Sequence, residues 1–142
     1  MTDEKKQSTL ELWSNLTVAY DVVRKTHVRN MATHSLTAPQ FHVLEVLMNS
    51  GPIPLKRISE ELLVTGANIT CVVDNLEKED LVKRVPSKKD RRVINAELTN
   101  KGKEKITQIY PDYTSTLFDS MQVLSDSEKA ELNKLLSKLA VR

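Results

Sequence analysis

Apolar positions along the chain change period several times, and each change marks an element. From about Thr9 to His34, Leu12, Trp13, Leu16, Tyr20, Val23, His27 and Met31 recur every three or four residues, the spacing of one helical face. That stripe runs for about seven turns without Gly or Pro. A face so long has to be buried against something sizeable. A second helix opens at Leu36-Thr37-Ala38-Pro39-Gln40-Phe41. Thr37 is its N-cap, Gln40 closes a capping box, Pro39 fits the first turn, and Leu36 can staple against Phe41. Phe41, Leu44, Leu47 and Met48 form its apolar face, Gly51 stops it and Pro52 follows. Ile53-Pro54-Leu55 is long enough only for a scrap of strand. A short helix from about Lys56 to Leu62 should bury Ile58 and Leu62, with Val64-Thr65-Gly66 as a tight break. Another helix, from Ala67 to about Glu79 with Thr65 as N-cap, should bury Ile69, Val72, Val73 and Leu76.

Two strands follow, from Leu81 to Pro86 and from Val93 to Leu98, around a turn-like tip. Thr99 caps a further helix to about Val123, with Ile106, Ile109, Tyr113, Leu117 and Met121 inward. Pro111 should kink that helix or free the carbonyl of Thr107. Ser125 and Glu128 form a capping box for the last helix, whose face is Leu132, Leu135, Leu136 and Leu139. The fold class expected is mainly α with a small β-hairpin wing, a winged helix-turn-helix. Its helix–turn–helix–hairpin lies between Pro54 and Leu98. The terminal stripes have too little partner surface within one small module. They are expected to pack on each other and on a second copy of the chain, with a monomeric bundle as the alternative.

Composition narrows the class. A chain of 142 residues is long enough for one domain with a real core. No apolar run approaches the length of a membrane span, and the polar start MTDEKKQSTLEL has no apolar stretch of a secretory signal. The single cysteine, Cys71, forms no disulfide within the chain and fits a reducing, cytoplasmic location. There is no Gly-rich phosphate loop, no nucleophile set beside a base and no metal cluster, so the expectation is that the protein is not an enzyme and holds no cofactor.

Charge adds more than its total suggests. The net charge is only +2. Between Lys78 and Lys105, however, there are ten Lys or Arg and five Asp or Glu. That segment carries +5, and the rest about −3. A basic face on an acidic body fits a polyanion partner; ordinary solvated charge remains the plainer alternative. The basic tip, Ser87-Lys88-Lys89-Asp90-Arg91-Arg92, offers four cations and one carboxylate. Cations can straddle a sugar-phosphate ridge, and an arginine fits the narrow minor groove. Asp90, two residues before Arg92, can hold that guanidinium in a charge-assisted pair and aim it. The helix after Thr65 begins with the small or polar turn Gly66-Ala67-Asn68, and Ala67, Asn68, Thr70, Cys71, Asp74 and Asn75 face away from its apolar side. Such a helix fits a major groove, with Asn68 able to pair with adenine and the N-terminal amides suited to phosphate.

The stretch LLVTGANITCVVDNLEKEDLVKRVPSKKDRRVINAELTNKG resembles the signature of the multiple-antibiotic-resistance-regulator (MarR) family. The parts that carry the likeness are ITCVVDNLEKEDLVKR, the wing DRR, and LTNKG opening the next helix. Order and spacing match over almost the whole chain. The resemblance implies a bacterial winged-helix dimer held by its terminal helices, acting as a ligand- or stress-responsive transcription factor, usually a repressor, on a pseudo-palindromic double-stranded operator. It implies terminal segments 1–35 and 104–142 for dimerisation and a DNA-binding module over 36–103. It also places Thr65 to Thr70 in the major groove, and makes Asp90 and Arg92 the wing's supporting acid and minor-groove arginine. Lys88, Lys89 and Arg91 become phosphate contacts, with Lys56 a further one. Two departures stand out: Asp80 where the family usually has Gly, and Cys71 where a polar or basic residue is common. Asp in a left-handed position costs of order 1 kcal/mol.

Three kinds of trigger are open. Cys71 could be oxidised, but no cation flanks it closely, so a structural or incidental thiol is the simpler reading. His27, His34 and His42 lack the tight spacing of a metal motif. A small effector would draw on Trp13, Tyr20, His34 and Phe41, although an aromatic stripe at helical spacing is more often core. A winged helix that binds a protein partner, without specific DNA readout, is the competing function; the arginine-tipped wing speaks against it.

Overall fold

Those periods become six helices and three strands in the computed structural model, which describes residues 2–140. The order is α1 (Asp3–Thr33), α2 (Ala38–Ser50), β1 (Ile53–Pro54), α3 (Leu55–Leu62), α4 (Gly66–Lys78), β2 (Val82–Pro86), β3 (Ile94–Leu98), α5 (Asn100–Ser120) and α6 (Asp126–Leu139). α1 begins at Asp3 rather than near Thr9. Asp3 and Glu4 fill its first turn, where carboxylates complement the helix dipole and extend the helix beyond its apolar stripe. α5 continues through Pro111.

The chain divides into two compact units. One comprises the segments up to His27 and from Tyr113 onward; the other runs from Val28 to Asp112. Among the described residues, every buried hydrophobic side chain lies between Met31 and Ile109, in the second unit. Phe41, Val43, Leu44, Ile58, Val73, Leu76, Ala96 and Ile106 are fully enclosed there. Each large one contributes on the order of 1.5–3 kcal/mol by leaving water. Met48 and Leu62, expected inward, are 37% exposed and half-buried respectively. Both sit at the ends of their helices, where the apolar face rotates away from the core.

Local chemistry sets the boundaries. Thr37 Oγ1 accepts from the Gln40 amide at 3.2 Å while Gln40 Oε1 accepts from the Thr37 amide at 2.8 Å, a complete capping box. Gly51 ends α2 at φ 71°. The sheet has the order β1-β3-β2 and is antiparallel throughout. The scrap at Ile53–Pro54 pairs with Ala96 and Asn95, and β2 pairs with β3 from Val82–Leu98 to Pro86–Ile94.

The root of the hairpin is tied to α5. Asp80 turns the chain at φ 59°. The Thr99 hydroxyl donates to the Asp80 carbonyl at 2.6 Å and accepts from the Gly102 amide at 2.9 Å. A Cβ on Gly102 would lie 2.0 Å from the Leu81 carbonyl oxygen, so only glycine lets α5 approach this closely.

The terminal unit is built differently. The His27 ring meets Tyr113 edge-on at 5.2 Å. Ser125 and Glu128 complete a capping box at 2.8 and 3.3 Å. Leu132, Leu135, Leu136 and Leu139 of α6 are all exposed, as are Leu10, Leu12, Trp13 and Tyr20 of α1, and Phe118, Met121 and Val123. Met121, expected inward, is therefore at the surface of a single chain. Leu117 and Tyr113 are half-buried.

Candidate nucleic-acid interface

Backbone geometry presents α4. The break before it falls at Leu63, in the left-handed region at φ 57°, and not at Gly66, which is the first residue of the helix. The Val64 amide, bonded to the Ser59 carbonyl at 3.1 Å, holds that turn. Thr65 caps α4, its Oγ1 accepting from the Asn68 amide at 3.2 Å. Ile69, Val72, Val73 and Leu76 are buried, and α4 packs against α2 and α3. Thr65, Gly66, Ala67, Asn68, Thr70 and Cys71 are all exposed. A Cβ on Gly66 would meet nothing within 4 Å. Its lack of a side chain therefore serves no internal packing; it leaves the first amides of the helix open to approach, where unsatisfied N–H groups favour an anion. The Thr70 hydroxyl donates to the Gly66 carbonyl at 3.0 Å, so what it has left to offer is its methyl and an oxygen that can accept.

The tip of the wing is organised by its one acid. Asp90 Oδ1 accepts from the Arg92 backbone amide at 3.0 Å and from Arg92 Nε at 3.1 Å, and Oδ2 accepts from Nη2 at 3.1 Å. This fork fixes the guanidinium plane. The Arg92 side-chain bond, then its backbone N–H, holds the Asp90 carboxyl below its ordinary range. The Arg92 side chain nevertheless remains 90% exposed, so the clasp orients it without burying it. Lys88, Lys89 and Arg91 are exposed around it. The tip is closed by Ser87 N–H to Val93 O at 2.8 Å and Val93 N–H to Asp90 O at 3.0 Å. Lys56 is exposed in the first turn of α3.

Of the four residues considered for an effector, two belong to each compact unit. Trp13 and Tyr20 are exposed in the terminal unit. Phe41 is fully buried in the core of the other unit and presents no surface. His34 Nε2 lies 2.6 Å from Asp112 Oδ2, which also accepts from Asn30 Nδ2 at 2.7 Å. The bond to His34, then that to Asn30, keeps the Asp112 carboxyl below its ordinary range. His34 lines a cleft of about 270 Å³ with Lys101, Glu104, Lys105, Gln108 and Ile109. Among the described residues, no group of three or more His, Cys, Asp or Glu could hold a metal ion, and no helix is long and apolar enough to cross a membrane.

A model of the MarR family matches residues 36–94. The transcriptional regulator MhqR of Bacillus subtilis, of helix-turn-helix type, is 32% identical over 135 residues, spanning 95% of this chain and 93% of MhqR. The chain belongs to the MarR family. Solved MarR-family structures share the fold. A mutant MarR from E. coli complexed with operator DNA superposes with a TM-score of 0.86 at 22% identity, over 94% of this chain and 96% of that one. BpsR of Bordetella bronchiseptica, described through the regulation of its DNA binding by 6-hydroxynicotinic acid, superposes with a TM-score of 0.84 at 22% identity, over 92% and 99%.

Within this MarR-family chain, one arrangement is announced by no local motif. Arg84, on β2, donates from Nη2 to Asp74 Oδ1 at 2.6 Å and from Nη1 to Glu77 Oε2 at 3.2 Å, both on α4. Burial alone would lower the guanidinium pKa, but the bonds to Asp74 and Glu77 outweigh it and raise it. The available signal was the pair of carboxylates three residues apart on a helix whose only cation is Lys78 at its end.

Proposed function

We propose that this MarR-family protein acts as a homodimer that binds duplex DNA sequence-specifically and regulates transcription. The observation that carries this reading is the pairing of two elements: a capped helix with an unobstructed polar first turn, and a wing whose tip arginine is clasped by Asp90 yet 90% exposed. Helix α4 would enter the major groove through Thr65, Gly66, Ala67, Asn68 and Thr70, with Cys71 at the edge of the contact. Arg92 would enter the flanking minor groove. Lys88, Lys89, Arg91 and Lys56 would meet phosphates. Two copies joined by their terminal helices would set two recognition helices about one helical turn, roughly 34 Å, apart. The apolar side chains exposed on α1 and α6 would form such an interface and support this reading. DNA binding of this kind needs no catalysis, and it belongs in the cytoplasm, where a bacterial chromosome lies. Control by a small effector or by chemical stress, through the spacing of the two recognition helices, completes the reading.

The test is selection from a random duplex pool with purified protein near physiological salt. An enriched inverted repeat with half-sites about 10 base pairs apart is the expected result. Binding to that repeat should weaken with salt by about 0.9 log units per phosphate contact for each log unit of salt. A pool that shows no enrichment overturns specific readout and leaves the fold as a module for a protein partner.

A further inference from the structure

Helix α4 carries a feature at odds with binding a polyanion. Asp74 and Glu77 lie one turn apart in its second half, with side chains 49% and 43% exposed. Each would repel phosphate, and α4 has no arginine and a single lysine. The compensating cation comes from another element. Arg84 stands opposite Ala96 in the middle of the β2–β3 ladder, and its side chain is only 26% exposed. The Arg92 side chain, by contrast, is 90% exposed. One arginine is extended into solvent; the other is engaged inward, each terminal nitrogen on a different carboxylate.

The mechanical consequence follows from what the hairpin lacks. A two-stranded ribbon beyond its third strand has little of its own to hold its twist, and β1 pairs only as far as Ala96 and Asn95. Arg84 adds a cross-link from the strand to a helix that precedes it by 7 to 10 residues. A planar guanidinium meets two carboxylates through separate nitrogens held in one rigid plane; an ammonium would have to bridge them from a single nitrogen on a flexible stem.

We propose that Arg84 is a positioning residue that locks the root of the wing to the recognition helix. It thereby fixes the spacing at which a half-site and its flank are read, and it masks Asp74 and Glu77 from the duplex. The proposal rests on the DNA-binding reading for its consequence but not for its geometry. The test therefore has one arm without DNA.

In that arm, amide hydrogen exchange of the full-length protein is followed in Arg84→Gln and Arg84→Lys. Exchange across residues 83–93 should quicken in both, while α2 stays unchanged. Wing exchange equal to wild type would remove the lock whatever the protein binds. In the second arm, affinities for the selected duplex are measured for wild type, both Arg84 variants, the Asp74→Asn/Glu77→Gln pair, and the triple variant. Arg84→Gln and Arg84→Lys should each weaken binding about tenfold and blur the preferred half-site-to-flank spacing. In the Asp74→Asn/Glu77→Gln background, Arg84→Gln should cost less than about twofold. An equal loss in both backgrounds would show Arg84 acting on the duplex by itself and overturn the proposal. A lysine variant with wild-type affinity and spacing would do so too, since charge alone would then suffice. A wild-type protein that binds no duplex fails the functional reading, and the exchange arm still decides the lock.

Discussion

The two compact units treat their hydrophobic residues in opposite ways. Between Val28 and Asp112 the apolar side chains converge: Phe41, Leu44, Ile58, Val73, Leu76 and Ile106 are sealed from solvent. In the terminal unit, Leu12, Trp13, Tyr20, Phe118 and the four leucines of α6 remain exposed. Both regions carry clean helical periodicity, so the difference is not one of pattern. The winged unit has several elements on different sides of one core, so each face finds a partner within the chain. The terminal helices present long faces and few opposing surfaces. Exposed apolar area of this extent marks an association surface. One region folds on itself; the other leaves its apolar faces open, and the homodimer proposed above would cover them.

The largest effect should come from breaking the second half of that contrast. Leu132→Asp with Leu136→Asp should turn a dimer into a monomer in sedimentation. It should also lower affinity for a two-half-site duplex by roughly a hundredfold or more, because the second half-site loses its effective concentration. A dimer that persists would place the interface elsewhere. Arg92→Ala comes next. It should leave sedimentation untouched and weaken DNA binding by about 1–3 kcal/mol, with loss of preference in the flanks. Wild-type affinity there would sink the wing assignment. Gly66→Ala sharpens the separation of fold from function, since the space beside it is empty within the protein. Stability should rise by up to ~1 kcal/mol as the unfolded chain loses freedom, while duplex affinity falls; a parallel change in both would mean that Gly66 serves the fold. The smallest effect is expected for Asp80→Gly. Relieving a left-handed aspartate at φ 59° should raise the denaturation midpoint by the equivalent of ~1 kcal/mol at most and leave DNA binding unchanged.

What the sequence disclosed was local. The capping boxes at Thr37–Gln40 and Ser125–Glu128 span three residues, and the Asp90–Arg92 clasp spans two. Each is specified by neighbours in the chain, and each forms. The buried face of α4 was equally legible because four apolar residues share one helical side. The bridge from Arg84 to Asp74 and Glu77 was not, because it depends on how the wing strand passes the helix, which no local spacing records. Leu63 misled for a related reason. A leucine is a poor choice for positive φ, and Gly66 nearby was the natural place to expect the turn. Tertiary hydrogen bonding, Val64 N–H to Ser59 O, decided otherwise. Phe41 shows what periodicity can do: its place on the apolar face of α2 favoured core over pocket wall, and the ring is fully buried.

One small feature gives the molecule a built-in reporter. Cys71 is the single cysteine of the chain, and it is a free, exposed thiol on the outer face of α4. An alkylating dye would attach at one position per chain, within the surface that is proposed to meet the duplex. Seated DNA would shield that sulfur. The rate of dye uptake, followed through a titration, would then count occupied recognition helices directly, with no residue added or removed to make the measurement.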